Sequence, residues 1–397
     1  MLSTTSLLLI WSTLAAAAPA PARVEKRWTT SSANCRDFYA DITASATNVD
    51  IASVIGPPPV NQQALVQSSL DAMAAGSTVM AQIAAAPTFN VTETYSLWFE
   101  YCEPLNGTSA GLFQTHHGIV GNAGYWNVLI NGVTDNSFAQ SAAEAGWSTL
   151  SYDRLGVGRS AKPDGTNIVQ ANYEISESIA IGEMVRAGTL GDIGAFSTVV
   201  GVGHSYGSAL LTGVAAMSDT VFDALVLTGF TANQTTGPLS NIFQSEIASE
   251  AYPARFAGDA NDYVSTPSVS VDQEAFFHYP NYTQSALDLF TTTKGEYTLG
   301  QFNSLGGPLM AKRPNFNKPV FVITGDNDAP YCAADCMVTS LGADMTQLDT
   351  VKDLFPGVAA ADFSTFVVPA TGHGINFHTT AYAAYQQIIA FVQGAGL

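Results

Sequence analysis

From about residue 110 onward the chain alternates short, almost wholly apolar runs with longer stretches whose apolar residues recur at helical spacing. That rhythm predicts strands buried on both faces of a sheet, with helices packed against them. Trp147 to Asp153, Phe196 to Gly203, Ala224 to Phe230, Lys318 to Gly325 and Ser364 to Pro369 read as the strands. Asn136 to Ala145 reads as a helix closed by Gly146, Tyr173 to Leu190 as a second, and Thr380 to Gln393 as a final amphipathic one. The fold class expected is α/β, a mostly parallel central sheet flanked by helices.

Two stretches break the rhythm. Residues 28–90 are expected to form a helical N-terminal extension, with Gln62 to Ala75 its clearest helix and Pro57 to Pro59 a stop before it. Thr92 to Tyr101 then alternates in the manner of an antiparallel edge strand, followed by a strand ending Phe113 to His116. Residues 231–313, rich in Phe, Tyr and Asn, separate two core strands and are too long for a bare loop. They are expected to fold as a cap, with helices around Asn241 to Tyr252 and Gln284 to Phe290, so the core would comprise residues 91–230 and 314–397.

Candidate chemistry sits where the strands end. Gly203-His204-Ser205-Tyr206-Gly207 lies between a predicted strand and a predicted helix, the context in which a tight turn holds a serine hydroxyl clear of its own backbone. A second match, Gly107-Thr108-Ser109-Ala110-Gly111, precedes a strand and reads as a turn. A serine nucleophile needs a base and an acid that orients the base. Downstream, Asp326 and Asp328 follow one strand and His373 follows the last, and groups at the carboxyl ends of parallel strands converge on one crevice. His204, adjacent to Ser205 on the turn, reads as a packing residue, His278 as a surface or packed one, and His378 as a cap for the final helix.

Composition narrows the class. Of 397 residues, 47% are hydrophobic and 12% charged, a globular profile, and the net charge is −19, which argues against nucleic acid or an anionic membrane surface as partner. Residues 1–18 have the short apolar centre and small-residue end of a secretory signal, too short for a stable membrane anchor. Residues 19–27 end in Lys26-Arg27 and resemble a fungal pro-segment, which would make Trp28 the first residue of a secreted, extracellular chain. Sequons at Asn90, Asn106, Asn233 and Asn281 agree with that route. So do four cysteines: Cys332 and Cys336 are close enough to close a small loop, leaving Cys35 to join Cys102. No cysteine or histidine spacing suggests a metal site, and no cofactor is expected.

The order serine, acid, histidine resembles the α/β-hydrolase family over roughly residues 95–395. The likeness is carried by His116-His117-Gly118, the run Asp153 to Ser160, the Ser205 turn, Gly325-x-x-Asp328 and Gly372-His373. It implies Ser205 as nucleophile, His373 as general base and then acid, and Asp328 in preference to Asp326 as the orienting acid, with Asp326 left to stabilise its turn. It also implies an oxyanion hole from the backbone amides of Tyr206 and Ile119, with His117 structural and Asp153 to Ser160 a loop scaffold. Absence of an HGGG run speaks against tertiary-alcohol esters, and a serine at the turn speaks against dehalogenase and epoxide-hydrolase chemistry.

The resemblance therefore implies a serine hydrolase acting through an acyl-enzyme on an ester or lactone. The aromatic cap suggests a hydrophobic small molecule, for example a polyketide-type secondary metabolite. The alternatives are an acyltransferase, a proline-type aminopeptidase whose Glu246 and Glu250 on one cap-helix face would hold an amino terminus, and a non-catalytic binding protein on the same scaffold.

Overall fold

Nine strands form one sheet in the order β1-β2-β3-β5-β4-β6-β7-β11-β12. In a computed structural model that describes residues 23–232, 240–337, 342 and 345–397, they are β1 Arg23–Thr29, β2 Ala33–Val49, β3 Thr88–Pro104, β4 Leu112–His116, β5 Ser148–Tyr152, β6 Val199–His204, β7 Ala224–Thr228, β11 Val320–Asn327 and β12 Phe363–Gly372. The expected signal segment 1–18, residues 19–22 of the expected pro-segment and the Asn233 sequon lie outside the described residues. From β5 to β12 every pairing is parallel, whereas β1, β2, β3 and β5 pair antiparallel. The central strands β4, β5, β6 and β7 are buried along their whole length, which is why their sequences run apolar without alternation.

The N-terminal expectation needs correction. Residues 28–90 begin not as a helix but as the end of β1 and the 17-residue β2, and only afterwards form the helices Ala52–Ile55, Gln62–Met73 and Val79–Ala84. The period-two burial of Phe38, Ala40, Ile42 and Ala44 is a strand pattern written in small residues of high helix propensity, and pairing with β3 overrides that propensity. Phe38 stacks on its register partner Phe99 at 5.2 Å, and Thr43 meets Thr94 at 2.8 Å. Consequently β3 is not an edge strand: β2 and β1 cover it, and β1 is the edge. Cys35 and Cys102 face each other across β2 and β3 and form a disulfide, as do Cys332 and Cys336.

Between β7 and β11 the chain builds a separate layer. It contains the short strands β8 Glu246–Ile247, β9 Tyr263–Ser265 and β10 Tyr297–Thr298, paired antiparallel, and the helices Val269–Phe276 and Gln284–Thr293. Asn241 to Tyr252 is not one helix: β8 interrupts it and a helix resumes only at Ala248–Ala251. Glu246 thus lies on a strand and Glu250 on the next helix, so they do not share the helix face on which an amino-terminus clamp was expected. The layer is bound to the sheet's carboxyl edge by Gly295 N to Val120 O at 2.7 Å, Gly374 N to Phe276 O at 2.8 Å, and Lys162 to Asp259 at 2.8 Å. Inside it Lys294 and Asp272, both fully buried, pair at 2.8 Å.

Candidate active site

β6 ends at His204 and the helix Tyr206–Met217 begins one residue later, so Ser205 makes the whole turn, with φ 56° and ψ −119°. A non-glycine residue there is strained, and the neighbours show what permits it. A Cβ on Gly207 would lie 2.1 Å from His116 O, and one on Gly203 would lie 2.6 Å from Gly207 C. Only glycine lets strand and helix approach so closely. The Ser205 amide donates to Thr228 O at 2.9 Å, fixing the turn to β7. Ser109, the rival serine, donates to Gly111 O at 2.6 Å and accepts from Ser148 N at 2.8 Å, within the turn that leads into β4.

Asp328 and His373 meet at the ends of β11 and β12. His373 Nδ1–H donates to Asp328 Oδ2 at 2.8 Å, and both side chains are fully buried. Thr324 donates to the same oxygen at 2.6 Å, while Asp328 Oδ1 accepts Tyr331 N at 3.0 Å, so the carboxylate is held from three sides. Asp326 points elsewhere: its oxygens accept Ala370 N at 2.9 Å and Thr371 N at 3.0 Å, tying the β11 turn to the loop before His373. Among the described residues His373 Nε2 has no hydrogen-bond partner. Tyr331 packs against the pair, its ring stacking on His373 at 5.7 Å.

The remaining histidines have identifiable surroundings. His204 stacks on Tyr125 at 4.3 Å, lies 4.6 Å from the His373 ring and has Nδ1 3.1 Å from Thr228 Oγ1. Burial, then the neighbouring His373 and His117, push its pKa well below the usual histidine range. His378 does more than cap a helix. Its Nε2 accepts both Gly372 N at 3.1 Å and His278 N at 3.0 Å, which places the proton on Nδ1, donating to Gly374 O at 2.9 Å. It therefore joins the His373 loop to the overlying layer, and burial lowers its pKa to about 4. His116 has Nδ1 2.9 Å from the Tyr152 hydroxyl, and burial lowers its pKa to about 3.

The loop after β4 abuts Ser205: a Cβ on Gly118 would lie 2.8 Å from Ser205 Cβ. His117 and Arg154 hold that loop. His117 Nδ1–H donates to Gly118 O at 2.9 Å and its Nε2 accepts Arg154 N at 3.1 Å, while Arg154 Nε donates to His117 O at 3.1 Å. Arg154 also reaches Glu174, which accepts the Tyr206 hydroxyl at 2.7 Å and Gln301 Nε2 at 2.9 Å. The residue after Ser205 and the loop facing it thus share one buried ion pair. Sequence reasoning missed Glu174, Tyr331 and Phe276, whose ring is 5.6 Å from His373. None lies in a short motif, and only tertiary structure brings them in. A 510 Å³ cleft beyond Tyr125 is walled by Trp98, Glu100, Arg159, Phe290 and Phe377 among others, and none of Ser205, Asp328 and His373 lines it.

The description "Alpha/beta hydrolase family" matches residues 115–385, and the chain belongs to that family. No curated protein sequence matches it. Among solved structures it is similar to a monoacylglycerol lipase from Paleococcus ferrophilus, with 14% identity, 75% of this chain and 99% of that chain covered and a TM-score of 0.50. Rv0554 from Mycobacterium tuberculosis gives 15% identity, coverage of 76% and 95%, and a TM-score of 0.50. A thermophilic esterase from Thermogutta terrifontis gives 13%, coverage of 77% and 95%, and 0.47. At these identities the two likenesses with a TM-score of 0.50 speak for the fold alone. The protein has the α/β-hydrolase fold, its parallel sheet carrying the candidate residues on one edge.

Proposed function

We propose that the chain is a secreted serine hydrolase that cleaves an ester or lactone bond of a hydrophobic small molecule through an acyl-enzyme. The observation that carries this reading is the fully buried bond between His373 Nδ1 and Asp328 Oδ2, which leaves His373 Nε2 unpaired beside the Ser205 turn. In that reading Ser205 Oγ attacks the carbonyl carbon as Nε2 takes its proton. The tetrahedral oxyanion is met by the amides of Tyr206 and Ile119, and the proton passes to the leaving alkoxy oxygen. Water, deprotonated by the same nitrogen, then releases the acid, while Asp328 holds the ring and balances its transient charge.

An apolar substrate suits the aromatic side chains around the site. Phe276 packs on His373 and also on Phe243 and Phe290 of the overlying layer. Secretion rests on the N-terminal sequence, the sequons and two disulfides of a kind that persists in oxidising compartments. Asn90 and Asn106 are exposed for glycosylation and Asn281 is half-buried. Among the described residues no helix is long and apolar enough to cross a membrane.

The test is labelling of the deglycosylated protein with a fluorophosphonate, followed by peptide mapping, beside Ser205→Ala and Ser109→Ala. Label is expected on the Ser205 peptide and only Ser205→Ala should lose it. Label or ester turnover that survives Ser205→Ala would overturn the assignment.

A further inference from the structure

We propose that the 510 Å³ cleft beyond Tyr125 is the subsite for the part of the substrate away from the scissile bond, and that it takes a flat aromatic ring bearing an uncharged hydroxyl group, which donates a hydrogen bond to Glu100. The inference rests on the serine-hydrolase reading above and adds to it a substrate class and the residue that selects it.

The cleft lies at the carboxyl edge of the sheet, where open α/β sheets bind their ligands. Trp98 and Glu100 line it from β3, two residues apart and so on one face of the strand. Their neighbour Phe99 pairs with Tyr152, the last residue of β5. Another wall is Phe290, from the helix Gln284–Thr293 of the overlying layer, with Phe377. These two rings meet edge to face at 5.2 Å, and Phe377 lies 6.0 Å from Tyr125. The aromatic wall is therefore held by its own contacts, and rings so arranged favour a further ring, stacked or edge-on. The volume falls within the roughly 300–1,000 Å³ of small-molecule sites.

Two contacts bring the cleft beside the Ser205 turn. Gly121 lines it, and Gly121 N bonds Gly118 O at 3.2 Å, Gly118 being the residue that abuts Ser205. Tyr125 stacks at 4.3 Å on His204, the chain neighbour of Ser205. A ring in the cleft thus lies against the loop that carries Ile119, one of the two proposed oxyanion donors.

Most polar side chains in the cleft are already paired. Asn122 donates to Thr293 O at 2.6 Å and accepts Gly124 N at 2.9 Å. Asp153 accepts Ala123 N at 2.9 Å and Arg159 N at 3.0 Å, and Lys294 is held by Asp272 and Thr266. Asn127 Nδ2 donates to Glu100 Oε1 at 2.9 Å while its Oδ1 accepts Ser137 Oγ at 2.7 Å. That fixes one oxygen of Glu100, and among the described residues its side chain makes no other hydrogen bond. The free oxygen is the acceptor the cleft offers.

Charge selects what meets it. The Arg159 guanidinium lies over the Trp98 ring at 3.5 Å, more than half exposed and 3.6 Å from Asp37, so an ammonium group in the same cleft meets a cation. An anionic group meets Glu100 and Asp153 instead. Burial raises the Glu100 carboxyl to about 7, against the smaller effects of the Asn127 bond and the Arg159 charge, so no permanent anion waits for a cation at neutral pH. A neutral hydroxyl satisfies the oxygen without adding charge.

The experiment has a binding arm in Ser205→Ala, which needs no turnover, and a turnover arm in the active enzyme. Calorimetry of Ser205→Ala is expected to give 2-naphthol a Kd about tenfold to a hundredfold below that of 2-methoxynaphthalene, and Ser205→Ala/Glu100→Leu to abolish the difference. In the active enzyme 6-hydroxy-2-naphthyl acetate is expected to exceed 6-methoxy-2-naphthyl acetate in kcat/KM by a similar factor, carried mainly by KM, and Glu100→Leu to remove that preference. The two leaving groups are electronically alike, so the ratio reads recognition. Equal binding of the two naphthalenes, or a difference that survives Glu100→Leu, would overturn the inference. Binding that follows Glu100 without any ester preference would overturn the subsite. Full turnover in Ser205→Ala would remove the serine mechanism while leaving the binding arm readable. If Glu100→Leu does not fold, Arg159→Leu at its exposed position carries the test: it is expected to improve 2-naphthylmethylamine binding relative to 2-naphthol by about tenfold, and an unchanged ratio would overturn the inference.

Discussion

Arg154 and Glu174 form an ion pair at 2.5 Å with both side chains at most 2% exposed. Its reach is wider than one bond. Arg154 donates to the carbonyls of His117 and Gly118, and Glu174 accepts the hydroxyl of Tyr206. The two segments that the proposed oxyanion hole would draw on are thereby fixed to one pair of charges. Glu174→Ala leaves a buried guanidinium unpaired and is expected to cost about 3–5 kcal/mol in urea denaturation. Tyr206→Phe removes a single charge-assisted bond and should cost about 1.5–3 kcal/mol. If the network positions the site, kcat/KM of the folded Tyr206→Phe protein falls as well, and unchanged kcat/KM would make the network purely structural.

Glu177, one helical turn from Glu174 on Ala171–Ala187, has the opposite character. It is buried and its Oε1 has no hydrogen-bond partner among the described residues. Burial first, then the negative Glu174, raise its pKa well above the usual 4.5, against a smaller opposing effect of Arg154. A raised carboxyl pKa means that the folded state holds the proton more tightly than the unfolded chain. The associated stability is complete below about pH 4.5 and declines as pH rises through the folded value. Glu177→Gln, which keeps the shape without the titration, is expected to melt higher than wild type at pH 8 and to narrow the gap toward pH 4. Parallel melting curves across that range would refute it.

Lys294 and Asp272 test the layer over the sheet. Lys294 Nζ bonds both Asp272 oxygens, at 2.8 and 3.0 Å, and Thr266 O at 2.9 Å, with no exposed surface on either charged side chain. Either Lys294→Met or Asp272→Leu alone strands a charge and should destabilise by about 3–5 kcal/mol, whereas the double change should recover most of that loss. Additive losses in a double-mutant cycle would show that the pair is not coupled.

What the sequence made legible follows from how local the determinants are. The apolar runs of β5, β6, β7 and β11 and the glycine-flanked Ser205 turn are local, and they were found at their positions. Motif spacing favoured Asp328 over Asp326 as the proposed acid, and the hydrogen bond to His373 is made by Asp328. β2 was hidden because Ala40, Ala44 and Ala46 favour helix in isolation and only the long pairing with β3 makes them strand. Glu174, Phe276 and Tyr331 were illegible for a related reason: each sits in an unremarkable local sequence, and its neighbours come from other segments, up to 127 residues away.

The last prediction concerns Lys26-Arg27. Both residues are exposed, and among the described residues Arg27 makes a surface pair with Asp192, at 3.1 Å and with both side chains more than half exposed, a contact worth little. They lie on β1, the edge strand, where a protease meets one free side of the backbone. Cleavage after Arg27 would still leave Trp28 and Thr29 paired to Cys35 and Asn34, with Trp28 packed on the small cluster of Ala33, Cys35, Cys102, Ala139 and Ala143. Ser205 follows β6, five strands away across the sheet. Protein secreted from a host with a dibasic-cleaving protease is therefore expected to begin at Trp28 by intact mass. Lys26→Ala/Arg27→Ala should keep the pro-segment without changing ester turnover by more than about twofold. A start elsewhere would refute the processing site. A large gain of activity on cleavage would show instead that the pro-segment acts on the site, contrary to its place at the far edge of the sheet.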